Sequence, residues 1–310
     1  MLTHIDREAM RFPWKDFMKE RTSTILAVGA AGKFAGLVLP ELARRGAKVR
    51  GLIRHASDAE AVRVHGATDV AIGELGNRPS IDAALEGIDT VFYIAPAFLP
   101  DEANVGKHMV EAAQRAGVRR FAFSSVIHPT LAGLDNHAAK GPVEEALLNS
   151  GMEYVFLHPT LFFQNYAGSW QSVLKTGVLA EPWSAETRFS RVDYRDVAEV
   201  AAIALTEDRL TFGTFELCAE GMLNRKEVAA LIGDVLGRPI DAAKVRLDAS
   251  ATPPGDSPQA RQMAAMKPMF DWYDRHSLLG NALTLRAILG REPRTLRSYF
   301  EELATSEARP

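Results

Sequence analysis

Residues 24–36 read Thr-Ile-Leu-Ala-Val-Gly-Ala-Ala-Gly-Lys-Phe-Ala-Gly. The apolar run Ile25–Val28 stops at Gly29, a second glycine follows at Gly32, and a helical pattern starts at once. A buried strand, a tight turn and a helix N-terminus are thereby demanded within a few residues, which restricts the fold more than any other stretch. Two glycines let the backbone turn sharply and approach an anion, and the unpaired N–H groups of the helix start then face that anion. An ordinary strand-to-helix turn shares this layout, but here a full βαβ pattern follows, as a dinucleotide site requires. Gly29, Ala30, Ala31, Gly32, Lys33 and Phe34 are therefore the candidate phosphate-binding turn.

Residues 23–160 alternate short apolar runs with amphipathic segments, the pattern of a parallel sheet with helices on both faces. Strands are expected at 24–28, 48–53, 69–72, 90–94, 120–124 and 154–157. The intervening helices are expected over 33–45, 59–64, 79–85, 101–116 and 143–150. After His158-Pro159 the pattern loosens into an aromatic stretch, Phe162, Phe163, Tyr166 and Trp170, which reads equally as a substrate-pocket wall or as core. A helix over 196–205, capped by Asp196, and a strand at 214–217 return the chain to the sheet. Asn224 with Glu227 forms a cap pair for a helix ending near Leu236. Residues 251–255 read as a Pro/Gly loop.

The expected fold is α/β, a Rossmann-type doubly wound parallel sheet with a smaller, mainly helical C-terminal substrate lobe. Its expected parts are an N-terminal extension (1–22), a nucleotide-binding domain (23–160, with the return near 190–220), and a substrate lobe (161–189 and 221–310). The extension reads as partly helical, docking Phe12, Trp14 and Phe17 on a neighbouring surface.

Composition narrows the function by exclusion. The 310 residues carry a formal net charge of −3, so no electrostatic argument favours nucleic acid or a membrane surface. Cys218 is the single cysteine, which rules out an intrachain disulfide framework and a cysteine-based zinc site. No metal site is expected. No apolar run is long enough to span a bilayer, and residues 1–21 lack the apolar core of a secretory signal. These limits suit a cytoplasmic enzyme or binding protein, monomeric or homodimeric, that acts on a small molecule.

The end of the second strand bears on the ligand. In a dinucleotide unit an acidic residue there bonds the 2′-OH of NAD, whereas an arginine accommodates the 2′-phosphate of NADP. Here the strand ends Gly51-Leu52-Ile53-Arg54-His55. A guanidinium pairs with the extra phosphate where a carboxylate repels it. NADP(H) is favoured and NAD(H) is allowed; a solvated surface arginine is the plainer alternative. Lys33 either adds charge at the same phosphate or is an exposed helix residue.

Four segments together resemble the NmrA-like family, atypical relatives of the short-chain dehydrogenase/reductases that include isoflavone-reductase-like and quinone-reductase-like enzymes. They are Gly29–Gly32, the strand-end Arg54, the run Ala112–Ser125 (Ala-Ala-Gln-Arg-Ala-Gly-Val-Arg-Arg-Phe-Ala-Phe-Ser-Ser) and Lys140–Gly151 (Lys-Gly-Pro-Val-Glu-Glu-Ala-Leu-Leu-Asn-Ser-Gly). The His-Pro-Thr-Leu-Phe-Phe-Gln-Asn stretch at 158–165 adds to the likeness. The resemblance implies that Lys140 bonds the nicotinamide ribose and acts in acid/base chemistry. It also implies backbone contacts to the cofactor at Ala95, Pro96 and Pro159, adenine contacts near Glu74, and Phe162 and Asn165 at the nicotinamide end.

The chain departs from the family pattern at Ala35 (usually Gly), Gly73-Glu74 (usually Gly-Asp), His158 (commonly Arg) and Asn136, where ordinary dehydrogenases place a tyrosine. With that phenol missing, His137 is the nearest titratable substitute. Ser124 or Ser125 would orient a substrate oxygen, and one of the two must point away. The plain alternatives are a surface Lys140 and a loop His137.

Three functions follow. The first is an NADPH-dependent reductase of a quinone- or enone-type carbonyl. The second is a non-catalytic NADP(H) sensor, supported by Asn136. The third is a nucleotide-sugar epimerase or dehydratase, which lacks its tyrosine base here.

Overall fold

The strands of the N-terminal half are apolar on both faces, as in a sheet covered by helices on each side. The computed structural model describes residues 23–96, 99, 101–244 and 258–307. Its strands are β1 (Thr24–Val28), β2 (Lys48–Ile53), β3 (Asp69–Ile72), β4 (Thr90–Ile94), β5 (Arg120–Ser124), β6 (Glu153–Pro159), β7 (Leu161–Phe162), β8 (Val178–Glu181), β9 (Phe189–Val192), β10 (Gly213–Leu217), β11 (Met222–Leu223) and β12 (Asp241–Lys244). Its helices are α1 (Ala35–Arg44), α2 (Ala59–Val64), α3 (Arg78–Leu85), α4 (Glu102–Arg115), α5 (Asp135–Ala138), α6 (Gly141–Leu148), α7 (Trp170–Thr176), α8 (Tyr194–Thr206), α9 (Arg225–Leu236), α10 (Pro258–His276), α11 (Leu283–Leu289) and α12 (Leu296–Glu307).

Seven strands form one sheet in the order β10-β6-β5-β4-β1-β2-β3, and every neighbouring pair is parallel. The fold is the expected Rossmann-like α/β arrangement, with a helical C-terminal region. Strand order reverses between β1 and β4, which opens a crevice at their carboxyl ends where such sheets bind ligands.

Side chains alternate between the two faces. Ile25, Ala27, Phe92, Ala122, Val155 and Leu157 pack on Val38, Leu42, Val197 and Ala201 of α1 and α8. Leu26, Val28, Tyr93, Phe121, Phe123 and Phe156 pack on Met109, Val143 and Leu147 of α4 and α6. Truncating a buried phenylalanine such as Phe123 to alanine would cost about 3–5 kcal/mol, because the cavity left behind collapses only in part. Gly106 on α4 lies where any Cβ would strike Val143, so its missing side chain lets α4 and α6 close together. This second face decides which side chains of β5 and β6 meet α6.

Two expectations are corrected. α1 begins at Ala35 rather than Lys33, because residues 29–34 are used in the turn: Gly32 N–H donates to Gly29 O (2.7 Å) and Gly36 N–H to Gly32 O (2.9 Å). Asp196 is not the cap of α8. That place belongs to Asp193, extended at φ −73 and ψ 124, whose carboxylate accepts from Arg195 N–H. Asp196 lies one turn inside, fully buried, and accepts from the main-chain N–H of Arg294 (2.7 Å) and from Arg291 Nη2 (2.9 Å). It therefore anchors the C-terminal segment to α8, a contact no local pattern announces.

The capping box of Asn224 and Glu227 is present at the start of α9. Among the described residues no helix is long and apolar enough to cross a membrane. The extension 1–22, with Phe12, Trp14 and Phe17, and the loop 251–255 lie outside the described residues.

Candidate functional site

The glycine turn lies at the carboxyl end of β1, where the sheet reverses. Gly29 has φ 72, a left-handed conformation that a side chain disfavours. A Cβ on Gly32 would lie 3.0 Å from Gly29 O, and one on Gly36 3.2 Å from Ala30 O. Beneath the turn, Gly51 leaves room for Ala30, whose N–H donates to Leu52 O (3.1 Å) and fixes the loop to β2. Gly29, Ala31, Gly32 and Lys33 stay exposed while Ala30 is buried. The N-terminus of α1 carries no side-chain cap. Exposed backbone, small residues and an uncapped helix start together fit a pyrophosphate.

Phe34 turns inward. Its ring lies 4.5 Å from that of Phe162 and 4.8 Å from that of Tyr194, and Phe162 and Tyr194 are 4.9 Å apart. Lys33 Nζ donates to the main-chain oxygen of Gln164 (2.5 Å). The turn is thus tied twice to the segment that leaves β6. Arg54, just beyond β2, is exposed and makes no ion pair among the described residues. Glu74 is exposed beyond β3, its N–H donating to Ser80 Oγ. Ala95 is buried and Pro96 exposed directly after β4, and Pro159 is the buried last residue of β6. Asn165 is exposed. These residues share the carboxyl end of the sheet.

The two serines diverge as the period of a strand requires. Ser124 faces α8, its Oγ 3.3 Å from the Tyr194 hydroxyl in the core. Burial pushes the Tyr194 phenol well above its ordinary range, so it stays protonated. Ser125 faces α6 and donates to Glu144 Oε1 (2.5 Å), and His158 Nε2 is 2.9 Å from the same oxygen. Lys140, the residue before α6, forms an ion pair with Glu102 at the start of α4. Lys140 and Glu144 are four residues apart and so lie on one side of the helix start.

His137 lies in the core. It is fully buried, with Nδ1 3.1 Å from His128 O and Nε2 3.3 Å from the Tyr273 hydroxyl. Burial lowers its pKa, which favours the neutral ring. The Tyr273 phenol, pushed up to about 12 by burial, comes from α10 and also bonds Asn136. Sequence reasoning missed Glu102, Glu144, Tyr194 and Tyr273. Only Glu144 had a local signal, its spacing from Lys140.

The family model described as NmrA-like matches residues 21–301. The chain belongs to the NmrA-like family. This NmrA-like chain is 28% identical over 289 residues to an NAD(P)H azoreductase of Xenophilus azovorans, across 92% of this chain and 98% of the relative. Its fold matches that of an NADPH-dependent quinone oxidoreductase from Escherichia coli complexed with NADPH, at TM-score 0.79 and 20% identity, over 91% of this chain and 99% of the other. It also matches a Citrobacter triphenylmethane reductase complexed with NADP(H), at TM-score 0.78 and 19% identity, over 90% and 99% of the two chains.

Proposed function

We propose that this NmrA-like protein binds NADPH along the Gly29–Phe34 turn and reduces a small conjugated or aromatic carbonyl compound of quinone or enone type. The observation that carries this reading is that the open glycine turn and the Lys140–Ser125 group lie together at the carboxyl end of one sheet. The names of the relatives, an azoreductase and a quinone oxidoreductase, support a reductase, and NADPH in a structure of like fold supports the ligand.

Backbone N–H groups of the turn and α1 would take the pyrophosphate, and Arg54 is free to meet a 2′-phosphate. Bound NADPH supplies a hydride, and the reduced substrate oxygen then needs a proton. Lys140 would hold the nicotinamide ribose, exchanging part of its contact with Glu102 for the ribose hydroxyls. Phe162, already packed on Phe34, would close the nicotinamide end against water. The test is spectrophotometric: loss of NADPH absorbance with a panel of quinones, enones and azo dyes. No turnover across the panel would remove the reductase reading.

Asn136, in place of the usual tyrosine, supports a second reading, a redox sensor. It requires that NADPH and NADP⁺ bind with different affinity, since a ligand that does not discriminate shifts no equilibrium. Calorimetry with both forms checks it, and equal affinities would argue against it.

A further inference from the structure

We propose that Ser125, Glu144 and His158 form a proton-delivery chain that serves the substrate oxygen in place of the absent tyrosine. The proposal rests on the reductase reading above and adds the source of its proton. Ser125 follows β5 directly, His158 is the penultimate residue of β6, and Glu144 is on α6 between them. The three meet at one atom: Glu144 Oε1 accepts from Ser125 Oγ at 2.5 Å and lies 2.9 Å from His158 Nε2.

The side chains are nearly closed to solvent, at 8% for His158 and 14% for Glu144, and Ser125 is likewise buried. In such surroundings a shared carboxylate oxygen between two donors is strongly bound and well ordered. The alternation of strand faces puts Ser125 and His158 on the α6 side. Ser124 is turned away to Tyr194 and takes no part.

The transfer balances as follows. When bound, NADPH would supply the hydride, and the substrate oxygen left with excess charge would need a proton. The Ser125 hydroxyl rotates toward that oxygen and gives up its proton, forming the substrate O–H bond. Ser125 Oγ regains a proton from Glu144 Oε1 only as a His158 imidazolium passes its Nε2 proton to that same oxygen, which leaves Ser125 as the hydroxyl, Glu144 as the carboxylate and His158 as the neutral ring. His158 regains a proton from water, so the net consumption is one hydride and one proton per carbonyl reduced. With Glu144 ionised, the ring nitrogen facing it is the donor.

The residue at 158 separates this chain from a purely structural pairing. An arginine there would hold a glutamate but would not give up a proton in a protein. Histidine does both. Glu144 and His158 are positioning residues, since in this chain of donors only Ser125 would touch the substrate.

The experiment compares wild type with H158R, H158Q, E144Q and S125A, using menadione and cyclohexenone as probes with NADPH. H158R keeps Glu144 paired, and its melting temperature and NADPH affinity are expected to match wild type. Its kcat should fall about a hundredfold, the lower end of what a general acid contributes, with KM nearly unchanged. The solvent deuterium isotope effect on kcat should differ between wild type and H158R, and S125A should lose kcat to a similar degree.

H158R and S125A with wild-type kcat and isotope effect would overturn the chain while leaving the reductase reading intact. Wild type that oxidises NADPH with neither probe overturns both. If E144Q melts early, the melting temperatures of H158R and S125A are measured beside it, and the variants that melt with wild type decide.

Discussion

Glu102, at the start of α4, and Lys140, at the cap of α6, form an ion pair that is nearly closed to solvent, with side-chain exposures of 6% and 12%. The lysine that the family resemblance gives to the nicotinamide ribose is therefore held by a carboxylate from a different helix, across the groove where α4 packs on α6.

Removing one partner leaves a charge in a poorly solvated place. K140M is expected to lower stability by about 3–5 kcal/mol, the range for breaking a buried pair from one side. K140M/E102Q should recover most of that stability and none of the turnover. Thermal melts and NADPH oxidation rates on the four members of the cycle check both halves. If the double variant melts as early as K140M, the pair is not the reason for the loss.

Gly29 adopts φ 72 with open space around it. G29A forces an L side chain into that conformation at about 1–2 kcal/mol and puts a methyl where the anion approaches. The melting temperature should drop by a few degrees, while NADPH affinity measured by calorimetry falls about tenfold, the equivalent of roughly 1.4 kcal/mol of binding. Unchanged affinity would argue that the pyrophosphate lies elsewhere.

Arg54 is exposed and makes no hydrogen bond or ion pair among the described residues, so its replacement isolates a ligand effect. R54A should leave the melting curve alone. A charge-assisted hydrogen bond contributes roughly 1.5–3 kcal/mol, so NADPH should bind about ten- to a hundredfold more weakly. NADH, which lacks the phosphate, should bind R54A and wild type alike. Equal losses for both cofactors would remove the 2′-phosphate assignment.

His137 gives a pH dependence with a defined sign. Burial lowers its folded-state pKa below the ordinary 6.5, so the folded protein favours the neutral ring. The unfolded chain takes up the proton first as pH falls. The stability that His137 contributes is present above about 6.5 and is lost as pH falls from there through the lowered folded value. Melting temperatures of wild type should therefore decline across this window more steeply than those of H137Q. Parallel curves would show that the ring does not titrate differently on folding.

Legibility varied with the range of the interaction. The seven parallel strands were readable because each carries its own apolar run, bounded by Gly, Pro or a charged turn. The Gly29–Gly32 turn was readable because backbone geometry at a glycine is a local property. The capping box of Asn224 and Glu227 was visible for the same reason, whereas Asp196, three residues inside α8, was mistaken for a cap. Its arginine partners lie near residues 291 and 294, nearly a hundred positions away in the chain.

The candidate site divides in the same way. The glycine turn was legible as a candidate through local backbone conformation, Arg54 through its place at a strand end, and the Lys140 segment through the family resemblance. Which serine faces α6, what holds Lys140, and why His137 is shut away were decided by tertiary structure alone. Each depends on side chains from separate elements meeting across the packed faces of the sheet: Glu102 on α4, Glu144 on α6, His158 on β6 and Tyr273 on α10. A linear pattern records the period of one element at a time, whereas burial and pairing arise only when two elements close on each other.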